Sequence, residues 1–345
     1  AMRAFTYPAP GKFSLTQKQK PSLLSENAAV IRMTLASPCT SDVHIRRGAV
    51  PRAKVGVTVG HEGVGIVESV GSAVRNIKPG DRVAVNCETF CGECFFCRRG
   101  YVNNCTDTLG GWALGCRIDG LLAEYARIPF ADNALTPVPD GVSDEQALFT
   151  GDLLSTGYWA ADIADIVEGC CALVIGAGPA GLCAAMCAAL KKPRAVIVCE
   201  RDNARLRRAA ERFPAFLFCT PEELPSVLRR NAEHGGADSV IEAAGSSESF
   251  RLAWESARPN ATVAVVAMYE EAQTLPLPDM YGKNLTFRTG GVDGCRCGEI
   301  LAHIAAGELD ASPLITHAFP FADMEYAFGF FEQRRDNVLK TAIRF

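Results

Sequence analysis

Four of the fifteen cysteines stand in a polar loop, "CGECFFCRRGYVNNC", at Cys91, Cys94, Cys97 and Cys105. The spacing C-x2-C-x2-C-x7-C lets four thiolates close a tetrahedron around zinc, and a closed four-sulfur shell leaves no position for substrate. A structural metal is the expectation, with an iron–sulfur cluster as the alternative for the same donors. A second group lies in "GHEGVGIVESVGSAV", residues 60–74, where His61 and Glu62 form a potential ligand pair. The glycines at 63, 65 and 71 would let a strand bend closely around a site. Read alone, a satisfied core histidine explains His61 equally well. A third group, "SPCTSDVHIRRG" at 37–48, crowds Cys39, Thr40, Ser41, Asp42 and His44 together. Cys39 could bind metal, cycle redox state or pack as a small apolar residue, and in isolation burial is the simplest reading.

The fourth group is "GAGPAG": Gly176, Ala177, Gly178, Pro179, Ala180 and Gly181. An apolar strand enters it and an Ala-rich helix leaves it, the context that turns a weak glycine pattern into a dinucleotide fingerprint. Gly176 permits the tight turn, Gly178 admits a pyrophosphate, and Gly181 lets helix and strand pack closely, leaving the helix N-terminus to hold phosphate. Nineteen residues after Gly181 comes Glu200, where a carboxylate accepts hydrogen bonds from ribose hydroxyls and repels a 2′-phosphate. NAD is therefore favoured over NADP, although Arg201 beside it is a residue that pairs with such a phosphate.

The elements that must position these groups change character along the chain. Up to about residue 150 the sequence shows short β-rich runs broken by Gly and Pro, such as "AAVIRMTLAS", "DRVAVNC" and "GLLAEYARIP". They predict a small barrel-like β unit. From about 153 to 292, strands alternate with helices, among them Ala180 to Leu190 and Asn203 to Arg212, which predicts a parallel sheet of βαβ units. After about 295 come a helix in "CGEILAHIAAGEL", a Pro-broken strand, a helix around "FADMEYAFGFFEQ" and a closing strand "LKTAIRF".

Composition sets the outer bounds. The length of 345 residues suits two domains. A net charge of −4 with 21% charged residues gives no reason to expect nucleic acid or an anionic membrane as partner. No apolar run spans a bilayer and no signal core opens the chain, so a cytoplasmic protein is expected. Ala1 ahead of Met2 reads as a cloning remnant. Cys170, Cys171, Cys183, Cys187 and Cys199 sit among Ala, Val and Leu and read as core filler.

Taken together, the patterns "C-x-SD-x-H" at 39–44, "GHE-x2-G-x5-G-x2-V" at 60–74, the cysteine loop, "KPGDRV" at 78–83, "GAGPAG" and "LITHAFPF" at 314–321 resemble the zinc-containing medium-chain alcohol dehydrogenases nearly end to end. The resemblance implies an α/β protein in which a GroES-like β-rich catalytic domain, residues 1–153 and 295–345, encloses a cleft against a Rossmann domain, 154–294. It implies a catalytic zinc held by Cys39, His61 and Asp152, with Glu62 able to approach during ligand exchange. Asp152, in "FTGDLLSTGYWA", stands where many members have Cys, as in the branch of secondary-alcohol and formaldehyde dehydrogenases. Ser41 and His44 match a proton relay, Asp42 a carboxylate that steadies a zinc ligand, and Thr40 a cofactor contact.

The resemblance further implies hydride transfer between NAD, with NADP possible, and a small secondary alcohol, diol or polyol, reversible with the ketone or aldehyde, in a homodimer or homotetramer. Alternatives are a formaldehyde dehydrogenase, whose long cofactor-burying insertion is missing here, a primary-alcohol dehydrogenase, a zinc-free quinone reductase, and a non-catalytic nucleotide-binding relative. Asn86 and Glu88 replace a proline and an apolar pocket residue, and a Glu88 that faces substrate would suit a polyol or a cationic alcohol. Trp112 matches an aromatic that lines the pocket. Two turns depart from the family pattern, "ERFPAFLF" and "ARPNATVAV"; in the second, Asn260 can take the left-handed conformation that glycine supplies.

Overall fold

The computed structural model describes all 345 residues, and the chain opens with an antiparallel hairpin, β1 (Met2–Ala9) against β2 (Lys12–Lys18). Five further strands follow: β3 (Ala29–Ser37), β4 (Glu62–Val70), β5 (Arg82–Val85), β6 (Tyr125–Ile128) and β7 (Leu135–Pro137). The next six are β8 (Cys171–Ile175), β9 (Ala195–Cys199), β10 (Leu217–Cys219), β11 (Ala237–Glu242), β12 (Ala257–Val265) and β13 (Thr286–Thr289). The last two are β14 (Ile315–Pro320) and β15 (Lys340–Arg344).

These strands divide between two units, Ala1–Ser155 with Asp293–Phe345, and Thr156–Val292. In the first, a seven-stranded sheet runs β14-β15-β3-β4-β5-β7, with β6 also on β3. The N-terminal β unit is thus completed by strands from the far end of the chain. β15 pairs antiparallel with β3 through Ile343 and Ala36, which brings Lys340 into the interior near the start of β4. Ile31, Met33, Val83, Leu121, Phe321, Phe328 and Ile343 share one core. Burying each such side chain contributes roughly 1.5–3 kcal/mol before entropy is counted.

The second unit is a six-stranded sheet in the order β10-β9-β8-β11-β12-β13, parallel at every pair. This is the doubly wound arrangement, in which the order reverses beside the first strand and opens a crevice at the carboxyl ends of the strands. β8 and β9 are buried along their whole length, as "CALVI" and "AVIVC" require when helices cover both faces. Cys170, Cys171, Cys183, Cys187 and Cys199 are all buried. Helices occupy Pro179–Ala189 and Asn203–Arg212, and Asn260 sits at φ 59°, the left-handed conformation. The protein is therefore α/β, a β-rich unit joined to a doubly wound parallel sheet. No helix is long and apolar enough to cross a membrane.

Two local features depart from the elements expected above. The stretch after Cys39 folds into a helix, Thr40–Arg46, with Asp42, Val43 and Ile45 buried. Residues Thr150–Leu154 form a π-helical turn, a form often found where function distorts a helix.

Candidate metal centres and cofactor site

Cys39 follows β3 after Pro38 and caps the helix Thr40–Arg46, His61 immediately precedes β4, and Asp152 lies in the π-helical turn. Their ligand atoms all lie within 4.8 Å of one another. Cys39 Sγ is 3.5 Å from Asp152 Oδ2, and His61 Nε2 is 3.2 Å from the same oxygen. Gly151 makes this approach possible, because a Cβ there would stand 1.7 Å from the Val85 carbonyl oxygen at the end of β5. Only glycine lets the turn press onto that strand and present Asp152 to the other two.

Neighbouring groups fix the triangle. The Asp42 carboxylate accepts the backbone N–H of Cys39 at 2.8 Å and that of Gly60 at 3.2 Å, and its Oδ1 lies 3.7 Å from His61 Nδ1. It therefore ties the segments carrying two of the donors to one another. Ser41 Oγ is 3.1 Å from His61 Nε2, and His44 follows three residues later on the same short helix, so the two share a face. Thr40 is exposed at the start of that helix.

Electrostatics mark the triangle as a place for a cation. Burial pushes the His61 imidazole down, but the Asp42 charge and hydrogen bonds with Asp152 and Cys39 outweigh it and raise the group well above its usual range. Burial lifts the Cys39 thiol, assisted by the Asp152 charge. For Asp152, burial acts upward and is overcome by its hydrogen bond and charge contact with His61, which leave the carboxyl below its ordinary value. A thiol, an imidazole and a carboxylate from three separate elements are the donors of a zinc site that keeps an open position, so the residues present fit that metal.

The four-cysteine loop brings its sulfurs together as well, again within 4.8 Å, with Cys91 and Cys97 Sγ 3.9 Å apart. Backbone N–H groups point at the sulfurs: Cys91 N donates to Cys105 Sγ at 3.3 Å, Cys94 N to Cys91 Sγ at 3.4 Å and Cys97 N to Cys94 Sγ at 3.5 Å. Such donors stabilise thiolate, and that from Cys97 brings Cys94 down to about 5. Burial moves Cys97 and Cys105 the other way. The donor set fits a structural zinc.

In the second unit, "GAGPAG" forms the turn between β8 and the helix Pro179–Ala189. Gly176 sits at φ 103°, and a Cβ on Gly181 would lie 1.9 Å from the Gly176 carbonyl oxygen. Around Gly178 that space is open. Ala177 N–H donates to Glu200 Oε2 at 3.0 Å, so the acid at the end of β9 is bound to the glycine turn. Glu200 also accepts from Asp202 N–H at 2.9 Å and pairs with Arg205 at 3.4 Å, while Arg201 is exposed. Ala180 follows Pro179 in the first turn of the helix.

Residues 25–140 match the family described as alcohol dehydrogenase GroES-like domain, and residues 179–299 the family described as zinc-binding dehydrogenase. An alcohol dehydrogenase of Cupriavidus necator is 32% identical over 367 residues, covering 99% of this chain and 98% of that one. The chain belongs to the zinc-containing medium-chain alcohol dehydrogenase family. Among its relatives is the NADP-dependent isopropanol dehydrogenase of Thermoanaerobacter brockii, 30% identical with 99% of each chain covered. Among solved structures, zinc-dependent alcohol dehydrogenase 2 from Streptococcus pneumonia, in its apo form, superposes with a TM-score of 0.92 at 32% identity, covering 100% of this chain and 98% of that one. The alcohol dehydrogenase fold is thus a GroES-like unit with a Rossmann unit, and the protein is an oxidoreductase.

Lys340 is a residue of this site that no sequence pattern singled out. Lys340, in the closing strand, donates to Glu62 Oε2 and, at 2.6 Å, to the Pro38 carbonyl oxygen. Burial lowers its tendency to hold a proton, yet the Glu62 charge prevails and raises it. Nothing in "LKTAIRF" marks that lysine as internal. Glu62 is buried beside His61, with Oε1 lacking any partner. Glu88 is 2% exposed; its Oε2 accepts the Gly294 N–H at 3.2 Å, and Asn86 donates to the Gly294 carbonyl oxygen. The two residues therefore hold both sides of one glycine where the chain re-enters the first unit. Burial pushes the Glu88 carboxyl up to about 8. Trp112 meets the His61 ring edge-on at 5.6 Å between centroids.

Proposed function

We propose that this protein is a zinc-dependent dehydrogenase that transfers a hydride between NAD and a small secondary alcohol, diol or polyol, reversibly with the ketone or aldehyde. The convergence of Cys39, His61 and Asp152 beside the Ser41 hydroxyl carries the reading. Zinc in that triangle supplies Lewis acidity that favours loss of the alcohol proton, and NAD supplies the hydride acceptor. The division of labour follows the resemblance, with residues 1–153 and 295–345 as the catalytic domain and 154–294 as the cofactor domain.

The chain's own residues then have defined tasks. Cys39, His61 and Asp152 hold the metal, and Asp42 holds the Cys39 and Gly60 amides so that two donor segments move as one. As the alcohol carbon gives up its hydride, Ser41 receives the hydroxyl proton, and His44, on the same short helix, takes the place of the relay histidine that carries the proton outward. Glu62, beside His61, is held by the Lys340 ammonium, which opposes the upward push of burial on its carboxyl. Cys91, Cys94, Cys97 and Cys105 hold a second, structural zinc. In the cofactor unit, the glycine turn takes the pyrophosphate, and Glu200 supports NAD over NADP through the ribose hydroxyls. A relative is NADP-dependent, so both cofactors belong in the test. Initial rates on 2-butanol, butanediols and primary alcohols with NAD and NADP are expected to favour secondary alcohols or diols with NAD. No turnover of any alcohol by zinc-loaded protein would refute the reading.

A further inference from the structure

Trp112 joins two groups of different kind. Its indole meets the His61 ring at 5.6 Å, and the Arg52 guanidinium carbon lies 5.1 Å from the same indole centroid. One aromatic ring thus separates the candidate metal centre from a cation. Arg52 is exposed and hydrogen-bonds the Cys116 thiol, with no carboxylate or carbonyl oxygen in hydrogen-bond contact. Arg117 gives the contrast. Both guanidiniums lie near Cys116 and oppose the upward push of burial on its thiol, but Arg117 spends its N–H groups on the carbonyl oxygens of Thr108, at 2.6 Å, and Gly110.

A guanidinium held over an indole, with donors beyond the one on Cys116 left for a ligand, matches the oxygens of a carboxylate or phosphate. The aromatic contact contributes orientation and roughly fixes the plane of approach. Glu88 does not cancel this charge. Burial raises its carboxyl to about 8, so it is largely uncharged at neutral pH, and it is already engaged with Gly294.

We infer that Arg52 selects alcohols bearing an anionic group, a carboxylate or a phosphate, a short chain away from the carbon that is oxidised. The inference rests on the alcohol oxidation proposed above and gives it a substrate class, hydroxy acids and phosphorylated polyols in place of bare hydrocarbon alcohols. The anion docks on Arg52 along the Trp112 wall while the hydroxyl reaches the triangle of Cys39, His61 and Asp152. The reaction itself is unchanged: hydride to NAD, proton to the relay.

Matched substrates test it on the zinc-loaded enzyme. kcat/KM is measured for 3-hydroxybutanoate against 2-butanol, and for propane-1,2-diol 1-phosphate against propane-1,2-diol, which separates the two anion sources. At least one anionic member is expected to be preferred, and Arg52→Gln to reduce that preference by about ten- to a hundred-fold, mainly through KM. Arg52→Lys should restore part of it. A titration of tryptophan fluorescence with the preferred anion, without cofactor, should show weaker binding in Arg52→Gln, a readout independent of turnover. An unchanged anion-to-neutral ratio in Arg52→Gln would overturn the inference alone, leaving alcohol oxidation standing. Failure of the wild type to oxidise any of the four would remove the alcohol reading and this inference with it.

Discussion

Lys340 Nζ donates to Glu62 Oε2, and the two side chains are 2% and 0% exposed, so a fully buried pair stands beside His61, a candidate metal ligand. Removing one member leaves the other charge in the interior without compensation, which costs about 3–5 kcal/mol. Lys340→Met is expected to lower the urea midpoint accordingly, and Lys340→Met with Glu62→Gln to recover part of the loss. A midpoint unchanged by the single substitution would show that the pair contributes nothing.

Gly151 presses the π-helical turn onto the Val85 carbonyl. Gly151→Ala puts a methyl group where no space exists, so the turn must shift and carry Asp152 with it. Overpacking of this kind costs about 1–3 kcal/mol. Elemental analysis should find one zinc per chain in the variant, retained by the cysteine loop, against two in the wild type. Two zinc ions in the variant would mean that Asp152 tolerates the shift.

Cys97→Ser tests the other centre. Losing one thiolate of four opens the structural shell, and metal affinity in such sites is folding free energy. The variant is expected to bind one zinc fewer and to melt at lower temperature, with limited proteolysis cutting first within residues 91–105. Equal zinc content and equal melting temperature would count against a structural metal there.

Asp238 illustrates pH dependence away from either centre. Burial acts upward on its carboxyl, but Arg258 at 2.5 Å and the Cys171 N–H at 2.7 Å outweigh it and hold the group below its ordinary 3.8. A depressed carboxyl contributes stability that is present above the unfolded value and lost as pH falls through the folded one. Asp238→Asn should therefore flatten the acid limb of stability below about pH 4, measured by denaturant unfolding from pH 6 to 3. An identical acid limb in the variant would remove Asp238 from the explanation.

The fold was legible wherever a short-range rule applied. The glycine turn, the helix Asn203–Arg212 and the buried strands β8 and β9 each follow from local spacing and apolar runs. Asn260 in the left-handed region is of the same kind, since the side chain itself permits that conformation. The site was legible only through resemblance. Cys39, His61 and Asp152 are distant in sequence, and their meeting depends on β3, β4 and a π-helical turn that no residue pattern announces. Lys340 was hidden for a further reason: its burial depends on the register of β15 against β3, set across nearly the whole chain. The Arg52–Trp112 contact likewise joins two loops, for which local pattern carries no signal.

The most direct measurement is the rate of NAD reduction by a secondary alcohol in protein stripped of metal by a chelator and then given zinc back. Zinc-dependent alcohol oxidation predicts that activity disappears on stripping, returns with added zinc in the wild type, and does not return in Asp152→Ala. Full activity in the stripped wild type, confirmed free of zinc by elemental analysis, would contradict it.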